Sequence, residues 1–271
     1  MSSTQTFFGL AVVIIAVLLG FLWAFQTYSI YKFRAGIEKP EEMGLNSVRV
    51  VPFLADDGTE LRVWVSDPAP GLPVIISFYG NFTSIGPSVR RLAPLIKLGY
   101  GLAVMEYRGS GATSGQASEE NFASDARALY DQLDRIFEMD IQARNRVIHG
   151  YSLGSSIAVQ LATSRDSSGL ILEASFDRLC RFQQKRLHGL PMCLLMWKER
   201  HDVVDRIGDI TAPLLLGHGE RDKAIPPAWA KALFDRAPEP KMIKTYKEGT
   251  HTNLFSQGFV EDMDSFIKGL K

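Results

Sequence analysis

The sequence predicts an α/β fold, a mostly parallel central sheet with helices on both faces, preceded by a transmembrane helix. Three observations carry this reading. Short apolar runs recur at 74–78, 101–105, 147–149, 170–172, 214–216 and 242–246, spaced by helical segments; buried parallel strands with crossover helices give that rhythm. The pentapeptide Gly150-Tyr151-Ser152-Leu153-Gly154 sits between a strand-like run at 146–149 and a small-residue helical run at 155–162. Finally, residues 7–25 form an apolar run without a charge.

The N-terminal run, as a helix, would be about 28 Å long, close to a bilayer's hydrocarbon thickness. Trp23, Tyr28 and Tyr31 gather at one end of it, as interfacial aromatic residues do. A cleaved signal peptide would carry a basic start, and residues 1–6 contain no Lys or Arg. Residues 1–31 are therefore expected to be a single-pass membrane anchor and 32–47 a juxtamembrane linker. Lys32, Arg34 and Lys39 follow the span, and the positive-inside rule then places the large domain in the cytoplasm.

Residues 48–271 are expected to form one catalytic domain, a size that suits a single α/β unit. It opens with an antiparallel hairpin, because 48–53 and 61–65 alternate apolar and polar around Asp57-Gly58. Phe122, Ala126, Leu129, Leu133 and Ile136 recur at helical spacing, with Ser118 placed to cap the start and Glu119 and Glu120 in the first turn. Between the runs at 170–172 and 214–216 lies a connection far longer than a tight turn, carrying Leu187, Leu190, Met192, Leu194, Leu195, Met196 and Trp197. Residues 174–212 are expected to fold as a short helical cap over the site, suited to an apolar or acyl portion of a substrate.

Composition excludes several classes. The 30 basic residues balance 30 acidic ones, so nucleic acid is not an expected partner. Cys180 and Cys193 are the only cysteines, with no Cys-x-x-Cys and no His/Cys cluster at zinc spacing, so neither a metal site nor a disulfide scaffold is signalled. Two free thiols suit a reducing compartment, whereas in an oxidising space the pair could bridge.

Strand, Gly-x-Ser-x-Gly and helix together are what a nucleophile elbow requires: the serine takes strained backbone angles, and the flanking glycines remove side-chain clashes. Ser152 is thus the candidate nucleophile. A base must take its proton and a carboxylate must orient that base. In the chain order that accompanies such an elbow, serine then acid then histidine, the matching residues are Asp222, in the loop after 214–216, and His251, after the last strand. His149, His188, His201 and His218 compete as bases, Glu220 and Asp177 as acids. Backbone N–H groups of Leu153 and of Asn81, in Tyr79-Gly80-Asn81-Phe82, are the candidate oxyanion hole. Glycine-rich 107–111 is expected at the mouth of the site.

Gly150-Tyr151-Ser152-Leu153-Gly154, Glu106-Tyr107-Arg108-Gly109-Ser110-Gly111, Gly217-His218-Gly219-Glu220-Arg221-Asp222 and Gly249-Thr250-His251, in this order, resemble the α/β-hydrolases. More narrowly, the chain resembles their single-pass, membrane-anchored serine hydrolases of the α/β-hydrolase-domain-containing type, over about 48–270. It departs at Tyr79, where the family usually has histidine, and mildly at Glu106, where aspartate is usual. The resemblance implies a membrane-tethered hydrolase of carboxylic esters or thioesters working through an acyl-enzyme, without a cofactor, on a small-molecule, lipid-like or acylated substrate. A serine peptidase on the same fold and a non-catalytic tethered binding module are the alternatives.

Overall fold

The computed structural model describes residues 3–34 and 36–270, without the side chains at 3, 4, 6, 22–25, 27 and 29. The chain begins with helix α1 (Ser3–Ile30) and continues into an antiparallel hairpin, β1 (Arg49–Leu54) and β2 (Glu60–Ser66). Then follow β3 (Val74–Phe78), α2 (Ile85–Lys97), β4 (Gly101–Met105), α3 (Glu119–Asp131), α4 (Leu133–Phe137), β5 (Arg146–Tyr151), α5 (Gly154–Ala162) and β6 (Gly169–Glu173). After the three short helices α6 (Leu179–Arg186), α7 (Met192–Leu195) and α8 (Val203–Arg206) come β7 (Leu214–Gly219), α9 (Pro227–Arg236), β8 (Lys241–Tyr246) and α10 (Phe259–Gly269).

The strands form one eight-stranded sheet in the order β1-β2-β4-β3-β5-β6-β7-β8. β2 pairs antiparallel with β1 and β4, and every later pairing is parallel. The strand order turns back at β3, which lies between β4 and β5. Loops at the carboxyl ends of strands diverge at such a point and leave a crevice. α2 and α10 pack together on one face of the sheet, and α3, α5, α8 and α9 on the other. β3, β4, β5, β6 and β7 are buried almost throughout, which explains why they read as continuous apolar runs rather than alternating ones. The amphipathic helix expected through residue 136 is broken at Gln132 into α3 and α4, with the Ser118 hydroxyl accepting from Asn121 N–H at 3.1 Å as the start cap.

The expectation for the N-terminus needs correction. Among the described residues no helix is long and apolar enough to cross a membrane; the apolar part of α1 with described side chains runs over 7–21, about 22 Å of helix. Trp23, read as an interfacial residue, lies outside the described side chains. The far end of α1 is not free either. Gln26 and Ile30 are buried, and Gln26 donates to the Leu195 carbonyl at 3.3 Å.

Nor do residues 32–47 form a free linker. Lys32 N–H donates to the Asn81 side-chain carbonyl at 2.7 Å, and Arg34 N–H to the Thr83 carbonyl at 3.1 Å. Phe33 packs against Tyr107 with ring centroids 5.2 Å apart. Glu38 accepts from the Ser84 hydroxyl at 2.9 Å and from Gly86 N–H at 2.7 Å, satisfying the open start of α2. The segment is a strap pinned across the carboxyl end of the sheet.

Of the two states open to the cysteines, the structure has the bridged one: Cys180 and Cys193 form a disulfide between α6 and α7. That bond ties together a stretch with little core of its own, where Leu190 and Leu194 stay 54% and 84% exposed.

Candidate active site

β5 ends in the elbow. Ser152 has φ 51°, a left-handed value rare outside glycine, and its N–H is fixed by the Glu173 carbonyl at 2.9 Å. The turn is tight enough that a Cβ on Gly154 would lie 2.0 Å from the Phe78 carbonyl oxygen. No other residue type fits there, which is the physical content of the second glycine in the motif.

The two partner loops descend from β7 and β8. Glu220 N–H donates to the Tyr246 carbonyl at 2.9 Å and Arg221 N–H to the Gly249 carbonyl at 2.8 Å, so the loops are zipped together before either presents a side chain. Asp222 and His251 are thereby brought to Ser152. His251 Nε2 lies 3.0 Å from the Ser152 Oγ, and His251 Nδ1 lies 2.8 Å from Asp222 Oδ2. The other oxygen of Asp222 accepts from Ala224 and Ile225 N–H, each at 2.8 Å. Burial raises the Asp222 carboxyl's pKa, but His251 and the Ile225 N–H outweigh it and the net shift is downward. An ionised Asp222 must take its proton-bearing partner from His251, which places the proton on Nδ1 and leaves Nε2 to accept from the serine hydroxyl. The ring is steadied by Tyr151, whose hydroxyl donates to the His251 carbonyl at 3.0 Å.

The competing residues are engaged elsewhere. His149 Nδ1 lies 2.8 Å from the Ser77 hydroxyl. His218 donates to the Ile225 carbonyl at 3.0 Å. His201 is buried between Tyr31 and Ser156, and His188 is in the loop after α6. Asp177 pairs with Arg181 and accepts from Arg178 N–H, while Glu220 is exposed and held by its backbone.

Facing Ser152 is the loop after β3. Gly80 lets it come close, since a Cβ there would sit 2.9 Å from the Tyr151 ring and 3.2 Å from the Ser152 Cβ. The Asn81 side chain is engaged by its own loop, the strap and the end of α1: its oxygen accepts from Phe82 N–H at 3.0 Å and Lys32 N–H at 2.7 Å, and its amide donates to the Ile30 carbonyl. That leaves its backbone N–H for a ligand. Among the described residues, neither the Asn81 nor the Leu153 N–H has a hydrogen-bond partner. Tyr79, in the place of the usual histidine, acts as a brace: its ring stacks on Tyr107 at 4.1 Å and its carbonyl accepts from the Tyr107 hydroxyl at 2.8 Å.

The expectation for 107–111 is thus corrected. Tyr107 and Arg108 are buried, Arg108 is locked to Asp125 and Asp57 at 2.6 Å each, and the loop supports the oxyanion loop from behind rather than framing an entrance.

A cavity of about 460 Å³ opens onto Ser152 and His251. Its walls come from α2 (Pro87, Leu92), from the loop after β3 (Phe82) and from the segment after β6 (Phe176, Leu179, Phe182). From the expected cap only this last segment, through α6, reaches the cavity; Leu190, Leu194 and Trp197 face outward. Among the described residues no cluster of His, Cys, Asp and Glu could hold a metal ion.

Sequence reasoning missed what lies behind the elbow. Arg91 of α2 grips buried Glu173 with both terminal nitrogens, one at 2.7 Å. Its guanidinium lies over the rings of Tyr151 at 4.5 Å and Phe255 at 4.1 Å. Burial raises the pKa of the Glu173 carboxyl, but Arg91 and His149 draw it net downward. Residues 82 positions apart leave no local pattern that could announce this pair.

Known proteins resemble this chain in sequence and in fold. Residues 192–257, which contain Asp222 and His251 but not Ser152, match the family described as "Serine aminopeptidase, S33". An uncharacterized protein of Mycobacterium tuberculosis is 29% identical over 82% of this chain and 78% of its own length. Lysophosphatidylserine lipase ABHD12 of Danio rerio is 25% identical over 78% of this chain and 64% of its own. Among solved structures, an esterase of Pyrococcus furiosus superposes with a TM-score of 0.70 at 16% identity, covering 89% of this chain and 99% of the other. An acylaminoacyl peptidase of Pyrococcus horikoshii superposes with a TM-score of 0.65 at 20% identity, over 83% of this chain and 42% of the other. The structural likenesses establish the fold, that of the α/β-hydrolases.

Proposed function

We propose that this α/β-hydrolase superfamily member is a membrane-associated serine hydrolase that cleaves carboxylic esters or thioesters through an acyl-enzyme. The observation that carries the reading is the unbroken chain from Asp222 through His251 to Ser152, at 2.8 and 3.0 Å, beside two open N–H groups.

In this reading Ser152 Oγ attacks the carbonyl carbon while its proton passes to His251 Nε2. The charge that develops on the carbonyl oxygen is met by the N–H groups of Leu153 and Asn81. Collapse expels the alcohol or thiol, which leaves with the proton from His251, and a water activated by the same histidine then releases the acid. Asp222 holds the imidazole in orientation and stabilises the imidazolium.

Two features support acylated or lipid-like substrates. The cavity walls are largely aliphatic and aromatic. The described apolar side chains of α1 are also uncovered, Phe7 and Phe8 at 76% and 75% and Val17 at 65%; an apolar surface of this extent favours a lipid or protein covering. A peptidase reading is suggested by the matching family's description and by the P. horikoshii neighbour. Against it, no Asp or Glu lines the cavity among the described residues, so a free amino terminus would find no counter-charge there.

The test is labelling with a fluorophosphonate serine probe. The wild type is expected to label and Ser152→Ala is not; labelling of both, or of neither, would sink the hydrolase reading.

The side of the membrane rests on two opposed features. The three basic residues Lys32, Arg34 and Lys39 favour the cytoplasm, whereas the Cys180–Cys193 bond favours an oxidising space. The bond weighs more, because the segment carrying Lys32 and Arg34 is docked on the domain by its backbone. A C-terminal alkaline phosphatase fusion, active only outside the cytoplasm, is expected to be active, and an inactive fusion reverses the assignment.

A further inference from the structure

The loop that carries the Asn81 N–H is shaped by a segment remote from it in the chain. Phe82, the next residue, has φ 61°, and a bulky residue stays in that left-handed region only where its surroundings enforce it. Phe82 N–H is shared between the Lys32 carbonyl and the Asn81 side-chain oxygen, each at 3.0 Å. The same oxygen accepts from Lys32 N–H at 2.7 Å, and the Asn81 amide donates to the Ile30 carbonyl. Arg34 N–H donates to the Thr83 carbonyl at 3.1 Å. The backbone of 30–34 is thus the template on which 81–83 are laid.

Between Ile30 and Lys32 stands Tyr31. Its hydroxyl donates to the Glu199 carboxylate and lies 2.7 Å from Nε2 of His201. Both are fixed in turn, since Glu199 accepts from Glu119 N–H at 2.7 Å and His201 N–H donates to the Glu119 carboxylate at 2.9 Å. Nδ1 of His201 meets the hydroxyl of Ser156, in the first turn of α5. That hydroxyl and the Ser156 N–H each reach the Leu153 carbonyl at 3.2 Å. His201, Ser156 and Glu199 are all buried. Leu153 is the residue that carries the second candidate oxyanion donor, so both donors are tied to the same three residues at the end of α1.

We propose that Tyr31 and the Asn81 side chain are positioning residues of the oxyanion hole, through which the end of α1 sets where the N–H groups of Asn81 and Leu153 stand relative to Ser152. This rests on the serine hydrolase reading and adds a third, N-terminal segment to what the chemistry requires. Tyr31 is not among the described residues lining the cavity, and the Asn81 side chain is spent on Ile30, Lys32 and Phe82. Both therefore act through the donors rather than on the substrate. Such donors meet charge that develops only in the transition state, and a misplacement of about 1 Å can cost about 10²-fold in rate.

Two variants test this on the full chain, after fluorophosphonate labelling has shown a reactive Ser152. Tyr31→Phe deletes one hydroxyl and keeps the ring against Phe122, 5.1 Å away between centroids. Asn81→Ala deletes the clamp and keeps the backbone N–H. Each is measured with a chromogenic ester and with an alkyl trifluoromethyl ketone. Ser152 Oγ adds to the ketone carbon, its proton passes to His251, and the carbonyl oxygen becomes an oxyanion that cannot expel a leaving group. Expected are a fall in kcat of about tenfold for Tyr31→Phe and about 100-fold for Asn81→Ala, with KM within about twofold of wild type. The ketone's inhibition constant is expected to rise by the factor by which kcat/KM falls. In the double variant the losses should not add, because both act on one pair of donors.

Ketone affinity that keeps its wild-type value in both folded variants overturns the proposal whatever kcat does, since a merely structural loss lowers turnover without singling out the oxyanion. The same result in one variant strikes that residue from the positioning set. Wild type that does not label sinks the hydrolase reading and this proposal with it, whereas labelled wild type with unmoved ketone affinity in the variants sinks this proposal alone. If circular dichroism shows that Asn81→Ala fails to fold, Asn81→Ser and Tyr31→Phe carry the same comparison.

Discussion

Alanine in place of His251 is expected to lower kcat for an ester substrate by about 10⁶-fold, and asparagine in place of Asp222 by about 10⁴-fold. Among the described residues His251 is the sole acceptor positioned for the Ser152 proton, 3.0 Å from the hydroxyl, and without it the nucleophile stays a neutral alcohol. Asp222→Asn acts differently. Ala224 and Ile225 N–H both point at Oδ1, so an asparagine keeps its carbonyl there and turns its amide toward His251. Facing an N–H donor, the imidazole is driven to the tautomer whose proton lies on Nε2, and that nitrogen can no longer accept from serine. The two losses should not add in the double variant, because both disable one proton transfer. Single-turnover kinetics on a chromogenic ester check this, with near-ultraviolet circular dichroism reporting the fold. Activity within tenfold of wild type in His251→Ala would remove that residue from the chemistry.

The parts of the site legible in the sequence are those whose chemistry is local. The elbow announces itself because a strained serine needs glycine at 150 and 154 within five residues of chain. Asp222 and His251 are legible through chain order, each following a strand run. What sequence could not show is what joins distant segments. The strap at 32–47 is polar and carries no periodicity, so it reads as a linker; its role appears only when Lys32 and Arg34 meet the loop after β3. Asn81 illustrates the consequence, since its type was legible but the commitment of its side chain to the strap was not. The cysteines, 13 residues apart, were compatible with thiols or a bond until α6 and α7 were placed side by side. The apolar run at 7–25 reads as a span from its length, its lack of charge and the aromatic residues at one end, whereas Gln26 and Ile30, just beyond it, are seated in the domain.

Replacing Arg91 with leucine is expected to destabilise the protein by about 3–5 kcal/mol at neutral pH, the usual consequence of stripping one partner from a buried ion pair. Glu173 is fully buried, 0% exposed, and its remaining titratable neighbour would be His149, held neutral by burial. The pH dependence has a definite sign. In the wild type the folded-state pKa of Glu173 lies below its unfolded value, so the pair's contribution is full above about pH 4.5 and is lost as pH falls through the folded pKa. In Arg91→Leu, burial acts without the guanidinium and pushes the carboxyl's pKa above its unfolded value. The penalty then grows as pH rises past about 4.5 and shrinks as pH falls. Urea denaturation at pH 7 and at pH 4 should therefore show a large gap between the two proteins that narrows in acid, and Arg91→Leu with Glu173→Gln should recover part of it at pH 7. A gap equal at both pH values would assign the loss to packing against Tyr151 and Phe255 rather than to the carboxylate. The same pair also ties stability to chemistry. The Glu173 carbonyl fixes Ser152 N–H at 2.9 Å, and the Arg91 guanidinium lies over Tyr151, which holds His251 by its carbonyl. A loosened Arg91 site should thus slow acylation in molecules that remain folded, and kcat measured well below the melting temperature should fall in Arg91→Leu before the fold does.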